Sequence, residues 1–321
     1  MGSGTGSSMT LRMDHAIDRS VSVTAGDVTL FTYVYRPATA QRESPRPYVH
    51  PLRTLGGDLV SAFRPHDHVW HKGISLALPF VGEHNFWGGR TYVHGKHYVQ
   101  LENNGSADHR EITHLGRTRD GVAELAHSLD WFSQQGAPVI TEQRALTARV
   151  ADDRSWVLTF ETVLTNVSGD GLAFGSPTTK GRDNAGYGGL FWRGPRSFTG
   201  GVIQSPAGVG GDDLRGTTAE WFAFRGRHDE TDRASTVLIV DDSDNPRHPP
   251  RWFARSEQFA CLNPAPFFSV ELDLPHGGSL GLRYAVVVTD GDHGDDGTAA
   301  LAAHGRAALA RPRLIPATVP L

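Results

Sequence analysis

Trp156-Val157-Leu158-Thr159-Phe160-Glu161-Thr162-Val163-Leu164 is the stretch that decides the fold. Trp156, Leu158, Phe160 and Leu164 fall on one face, Thr159 and Glu161 on the other, the period of two expected of a β-strand. Working outward, similar runs occupy 28–35, 73–81, 91–101, 121–132, 139–150, 219–224, 236–240, 267–274 and 280–289. Turn signals separate them: Asp152-Asp153, Ser168-Gly169-Asp170-Gly171, Pro275-His276-Gly277-Gly278 and Asp290-Gly291. One segment reads as a helix, the alanine-rich 297–310, with Asp295 or Asp296 near its start and Pro312 beyond its end. Roughly twelve to sixteen strand candidates without βαβ alternation predict an all-β fold, a large antiparallel β-sandwich with one C-terminal helix. No fixed-period repeat points to a propeller. Residues 1–15 read as a flexible tail and 16–321 as a single sandwich domain. The longest irregular stretches are 175–189 and 241–251, and long loops in a compact domain tend to be functional.

Composition agrees with this reading. The 321 residues are 38% hydrophobic and 21% charged, a globular balance, and 37 glycines with 19 prolines suit many short strands joined by turns. A net charge of −4, with Lys and Arg dispersed, offers no basic face for nucleic acid or for an anionic membrane. The start, residues 1–8, is small and polar, without the pattern of a signal peptide, and no run of about 18 apolar residues exists. The single cysteine, Cys261, permits no intrachain disulfide and fits a reducing compartment. Cys261 lies in an apolar run and reads as a buried structural thiol. A cytoplasmic protein with no nucleic-acid or membrane partner is the expectation; the oligomeric state is left open.

Four segments could carry chemistry. The first is Arg64-Pro65-His66-Asp67-His68-Val69-Trp70-His71-Lys72-Gly73, with three histidines and an aspartate in six residues. On a strand His66 and His68 would share a face, and a bend would bring in His71. Neutral imidazoles could hold a divalent metal ion, with Asp67 or a distant glutamate completing the shell, or do metal-free acid–base work, since a free imidazole titrates near pH 6.5. The spacing matches no standard metal motif. The second, residues 82–94, presents Phe86, Trp87 and Tyr92 beside Glu83, His84, Asn85 and Arg90. Aromatic faces next to polar groups suit sugars, whose C–H faces lie on the ring while hydroxyls find donors and acceptors. The third, residues 177–194, combines glycines with Lys180, Arg182, Asn184, Tyr187 and Arg193 as a ligand-facing loop, without a dinucleotide or P-loop pattern. The fourth runs from Arg251 to Gln258 and from Phe267 to Glu271, with Glu257 and Glu271 as candidate carboxylates.

These residues carry a resemblance. His50-Pro51-Leu52, the run His66-Asp67-His68 followed by His71 and Gly73, Asn85-Phe86-Trp87, and Asn184 to Arg193 look like the DUF6807 family, also labelled PmoA or methane oxygenase PmoA. The likeness covers about 48–290. Many relatives carry Asp-His-Pro-His-His-x-Gly, where this chain has Val69-Trp70 in place of the Pro-His pair. The methane oxygenase label is discounted, because a particulate methane oxygenase subunit is an integral membrane protein and this chain has no spanning segment. The resemblance implies a sandwich similar to the galactose mutarotase supersandwich and a place in carbohydrate catabolism.

The sequence thus leads to an enzyme acting on a sugar or oxidised glycoside by lyase, epimerase or hydrolase-type chemistry. His66, Asp67, His68 and His71 would be catalytic, and the three histidines the metal ligands if a divalent metal is used. His50, Arg64, Lys72, Asn85, Trp87, Arg90, Lys180, Arg182, Asn184, Tyr187, Arg193 and Glu271 would contact the substrate. A non-catalytic carbohydrate-binding or sensing protein is the first alternative, and a metal-dependent oxygenase the second.

Overall fold

The strand around Trp156–Leu164 extends over Ser155–Asn166, and every one of its residues is buried. Trp156, Leu158, Phe160 and Leu164 enter the main core as the period of two requires. The opposite face is also covered. Val157 packs under the helix, Val163 meets Ile315, and Glu161 is neutralised by Arg283 at 3.1 Å and accepts the backbone N–H of Leu314. A buried carboxylate survives only with such partners.

The computed structural model describes residues 9–316. Ser155–Asn166 lies in the middle of a nine-stranded antiparallel sheet that starts at Gly208–Gly210. The order then runs Val202–Ser205, Trp221–Arg227, Ala234–Asp241, Ser279–Asp290, Ser155–Asn166, Pro138–Val150, Ala123–Phe132 and Ser106–Arg117. An eight-stranded sheet faces it, in the order Leu11–Ala16, Ser20–Ala25, Val28–Val34, Tyr48–Leu52, Ile74–Ala77, Gly189–Arg193, Cys261–Ala265 and Arg251–Arg255. The inner faces meet in one core that holds Phe31, Ile74, Trp192 and Leu262 against Leu146, Phe160 and Tyr284. The all-β antiparallel architecture with one C-terminal helix is therefore the observed one.

That helix, Gly294–Leu309, begins three residues before the expected start and carries Asp295 and Asp296 in its first turn, where the helix dipole favours carboxylates. Leu301, Ala302 and Ala308 pack on Trp221, Leu238 and Val287 of the outer face of the nine-stranded sheet. At Gly305 a Cβ would come within 2.5 Å of Val240, so the glycine permits the close approach. No helix among the described residues is long and apolar enough to cross a membrane.

Several elements differ from the expected ones. Leu11–Ala16 is a strand with Leu11 in the core, inside the stretch read as a tail; residues 1–8 lie outside the described residues. The run 73–81 breaks into Ile74–Ala77 and Phe80–Val81, which belong to different sheets, with Pro79 at the break. The run 91–101 is a small hairpin, Thr91–Val93 with His97–Val99. Of 267–274 only Leu272–Leu274 is strand. Gly189–Arg193, read as loop, is a central strand of the eight-stranded sheet.

The pleat of that strand builds the site. Leu190 and Trp192 turn into the main core, whereas Phe191 joins a separate apolar cluster on the outer face. Arg251–Arg255 repeats the pattern, with Trp252 and Ala254 inward and Phe253 outward. Trp87, Ala185, Tyr187, Phe259 and Phe268 cover this outer cluster from the loops.

Candidate functional site

A cavity of about 310 Å3 opens on the outer cluster of the eight-stranded sheet, toward the small end of the range for small-molecule sites, roughly 300–1,000 Å3. Phe191 and Phe253 come from the strands, and Trp87 and Tyr187 from the loops over them. Of the sequence candidates, the cavity brings together His68, His71, Trp87, Arg90, Arg182, Asn184 and Tyr187. The segments 64–73, 82–94 and 177–194 thus meet in one concavity, and Phe253, Arg255 and Gln258 of the fourth segment join them.

The histidine segment is not a strand. His68 N–H bonds to the Pro65 carbonyl at 2.9 Å and His71 N–H to the His68 carbonyl at 2.9 Å, two successive turns. Turn geometry stacks the rings of His68 and His71, three residues apart, with centroids 4.8 Å apart and planes 17° from parallel. His66 shares no face with them. Its Nδ1 accepts from Arg196 at 3.0 Å, and the residue is exposed outside the cavity lining.

The two stacked imidazoles hold opposite tautomers. His68 Nδ1 lies 2.8 Å from Asp67 Oδ2; a carboxylate only accepts, so Nδ1 donates and the neutral ring keeps its lone pair on Nε2. His71 Nδ1 lies 3.3 Å from an Arg193 nitrogen; a guanidinium only donates, so the proton of the neutral ring is on Nε2. His71 Nε2 is buried and has no hydrogen-bond partner. Burial, with the charges of His68, Arg193, Arg46 and Lys72, holds the His71 pKa well below its usual value. Burial also lowers that of His68, opposed by Asp67. For Asp67 burial acts upward, but hydrogen bonds from His68 and its own backbone, with Arg193, bring it down to about 2. Arg196 grips the other Asp67 oxygen at 2.8 Å. Arg193 itself is buried, its guanidinium carbon 3.7 Å from the centre of the Phe259 ring, and burial lowers its pKa to about 10. It therefore remains charged behind the two histidines.

The remaining candidates support the site or lie elsewhere. Asn85 Oδ1 accepts the backbone N–H groups of Trp87 and Gly88 at 2.9 Å each, an Asx turn that sets Trp87 in place. Gly88 and Gly89 have positive φ, and a Cβ on either would strike Trp70 at 2.6–2.7 Å, so the pair seats that indole against the wall. Arg64 and Lys72 both pair with Glu43, at 2.6 and 3.0 Å, behind the loop. His50 bonds Ser61 at 2.8 Å and stacks on Phe63, away from the cavity. Lys180 pairs with Glu271 at 2.7 Å and lines a separate groove beside Phe80 and Tyr92. Cys261 is buried, and desolvation pushes its thiol up to about 12, as expected of a structural thiol.

As metal ligands the three histidines do not fit together. His66 Nδ1 is bonded to Arg196, His71 Nδ1 faces Arg193, and Asp67 is held by His68 and Arg196. Among the described residues no group of three or more His, Cys, Asp or Glu side chains is placed to hold a metal ion.

Sequence reasoning missed Trp70, Tyr98, Arg215 and Phe259 as lining residues. Phe253 and Arg255 lie in the fourth segment, where the alternation Trp252/Ala254 against Phe253/Arg255 is the signal that points to them.

No curated protein matches the sequence. Among solved structures, the chain is similar to a heparan sulfate lyase HepC mutant from Pedobacter heparinus, at TM-score 0.39 and 8% identity over 89% of this chain and 36% of that one. An alpha-galactosidase from Lactobacillus brevis gives TM-score 0.39 and 8% identity, covering 88% and 40% of the two chains. A protein designated an aldose 1-epimerase from Klebsiella pneumoniae subsp. pneumoniae gives TM-score 0.40 and 11% identity, covering 88% and 81%. This chain thus spans well under half the length of the first two. With its residues 20–303 matching the family model, the chain belongs to the family of unknown function DUF6807.

Proposed function

We propose that the protein is a carbohydrate-active enzyme that moves a proton on a sugar or oxidised glycoside, in a lyase or epimerase reaction centred on His68 and His71. The observation that carries this reading is the tautomer pair. His68 offers a lone pair on Nε2, fixed by Asp67, while His71 offers a buried N–H with no partner, and both residues line the cavity. A neutral, oriented imidazole is a competent general base at neutral pH. His68 would take the C–H proton next to a carbonyl. The carbonyl oxygen would gain charge and accept the hydrogen bond of His71 Nε2, a donor that has no partner within the protein. The electron pair then either expels an oxygen substituent from the β carbon, the leaving oxygen taking a proton from water, or takes a proton from water on the other face to give the epimer, and in both cases His68 returns its proton to the resulting hydroxide. The ring faces of Trp87, Phe191 and Tyr187 suit the apolar faces of a sugar. Hydrolysis by paired carboxylates finds no support, since no Asp or Glu belongs to the described lining.

The test is proton exchange. In D2O, the protein is expected to wash deuterium into the carbon next to the carbonyl of a bound keto or aldehydo sugar, followed by NMR across a panel of such sugars. His68→Ala should stop the exchange while keeping affinity within about tenfold. Full-rate exchange by His68→Ala would sink the assignment. Tight binding without exchange or turnover in the unaltered protein would favour the second reading, a carbohydrate-binding or sensing protein, which the seven aromatic side chains of the lining also support.

A further inference from the structure

The geometry points to an acidic sugar, one bearing a carboxylate, as the occupant of this cavity; the inference rests on the sugar reading and narrows it. The cavity wall carries four arginines, Arg90, Arg182, Arg215 and Arg255, and no aspartate or glutamate among its described lining. A cavity for a neutral hexose has no need of such a surplus. Neutral hydroxyls are served by mixed donors and acceptors, whereas four guanidinium groups supply donors alone.

The arginines are not neutralised by the protein. Among the described residues, Arg90 and Arg182 have no carboxylate within 4.0 Å; Arg182 instead donates to Tyr98 Oη. Arg215 and Arg255 share a single carboxylate, Asp212 Oδ2, at 3.9 and 3.7 Å, too far for a hydrogen bond. The other oxygen of Asp212 is occupied by the backbone N–H groups of Ser256 and Glu257, at 2.7 and 3.1 Å. The wall therefore has four cations, with a single carboxylate, Asp212, near two of them. The Nε–H groups of Arg215 and Arg255 are, moreover, buried without any hydrogen-bond partner. A buried guanidinium donor left open is costly, and a planar carboxylate is the group whose two oxygens match its fork. Both side chains are also braced over aromatic rings: Arg255 has its guanidinium carbon 4.9 Å from the centre of Phe259, and Arg215 lies 5.9 Å from that of Phe253. They are thus preorganised for a ligand rather than free in solvent.

The test compares neutral and acidic partners of the same sugar by calorimetry. Methyl glycosides of gluco, galacto and manno configuration are titrated alongside the corresponding methyl uronides and 6-sulfates, in low salt and in 0.5 M NaCl. At least one uronide should bind tenfold or more tighter than its neutral glycoside, with the advantage shrinking in high salt. Arg255→Ala and Arg215→Ala should each remove most of that advantage, the ratio of uronide to neutral-glycoside affinity being the readout, with folding checked separately by a cooperative thermal unfolding transition. Equal or tighter binding of the neutral glycosides would overturn the acidic-sugar inference and leave the sugar reading standing. Binding of the sulfates without the uronides would overturn the choice of carboxylate. If no member of any series binds, the sugar reading fails and takes this inference with it.

Discussion

The two outer faces of the sandwich solve the same problem in opposite ways. The central strands of both sheets bury both of their faces, so each needs a cover. The nine-stranded sheet is covered by the helix Gly294–Leu309, whose Leu301, Ala302 and Ala308 meet Leu238, Val240 and Val287 in an apolar seam. The eight-stranded sheet is covered by loops, and its seam mixes Phe191, Phe253 and Trp87 with Arg193, His71 and unpaired N–H groups. A helix satisfies its own backbone and closes flat. Loops leave a concavity, and polar atoms beside it, among them His71 Nε2, have no hydrogen-bond partner in the protein. The difference separates a face closed by an apolar seam from one that keeps under-satisfied polar groups beside a concavity, where the proposed chemistry would take place.

The largest effect expected on this contrast comes from Asp67. In Asp67→Asn the amide can donate to His68 Nδ1, which moves the ring proton to Nε2 and removes the base without removing the ring. Turnover of a substrate found by the exchange experiment should fall about 10²- to 10⁴-fold, with ligand affinity within about tenfold. The carboxylate is one-third exposed, so stability should change by no more than about 1 kcal/mol. A positioning role also predicts a shifted acid limb in the pH–rate profile. An Asp67→Asn enzyme with unchanged rate and profile would leave His68 without its orienting partner as an explanation of anything. The opposite face should respond in the opposite way. Leu301→Ala, a buried leucine in the apolar seam, should cost about 2–5 kcal/mol in denaturant unfolding and leave ligand affinity untouched. A loss of affinity there would mean that the two faces are not energetically independent.

How far the sequence disclosed this arrangement follows from the burial of each element. Ser155–Asn166 was legible because its inward side chains are large and apolar while Thr159 and Glu161 interrupt the other face. Gly189–Arg193 was not, because both of its faces are used: Leu190 and Trp192 inward, Phe191 and Arg193 outward, which reads as an unpatterned run amid glycines. Ser106–Arg117 was missed for the reverse reason. It is an edge strand, largely exposed, with no apolar stripe. In the site, His68, His71, Trp87 and Tyr187 could be read from residue type and clustering. Arg215 and Phe259 could not, since their places depend on which strands neighbour one another, and pairs such as Gly189–Arg193 with Cys261–Ala265 are distant in sequence. The segment of three histidines suggested a shared ligand set, but its two turns send His66 to Arg196 and leave only two rings together.

The smallest effect distinguishes the cavity from the interior through pH. Among the described residues two histidines are fully buried, and the half-buried His50, whose pKa burial lowers to about 4, adds to the same pH dependence. One is His71 in the site; the other is His127 between the sheets, where Nε2 meets Tyr33 Oη at 2.8 Å beside the charge of Arg144. Burial is the main cause that holds both well below the ordinary histidine value, with nearby cations adding to it. Unfolded, each would titrate near pH 6.5. Below that pH the unfolded chain binds protons that the folded chain refuses, so stability falls as pH falls and is fully present only above about 6.5. The slope expected is about 1.4 kcal/mol per pH unit for each histidine, read from denaturant unfolding at pH 7.5, 6.0 and 5.0. His71→Gln should flatten the curve by one proton. A saturating ligand that accepts from His71 Nε2 should stabilise the unaltered protein more than it stabilises His71→Gln, whereas His127 lies outside the cavity lining and should not respond to ligand. A His71→Gln protein with the same pH slope and the same ligand stabilisation as the unaltered chain would show that this imidazole is only packing, and the contrast between the two faces would lose its polar half.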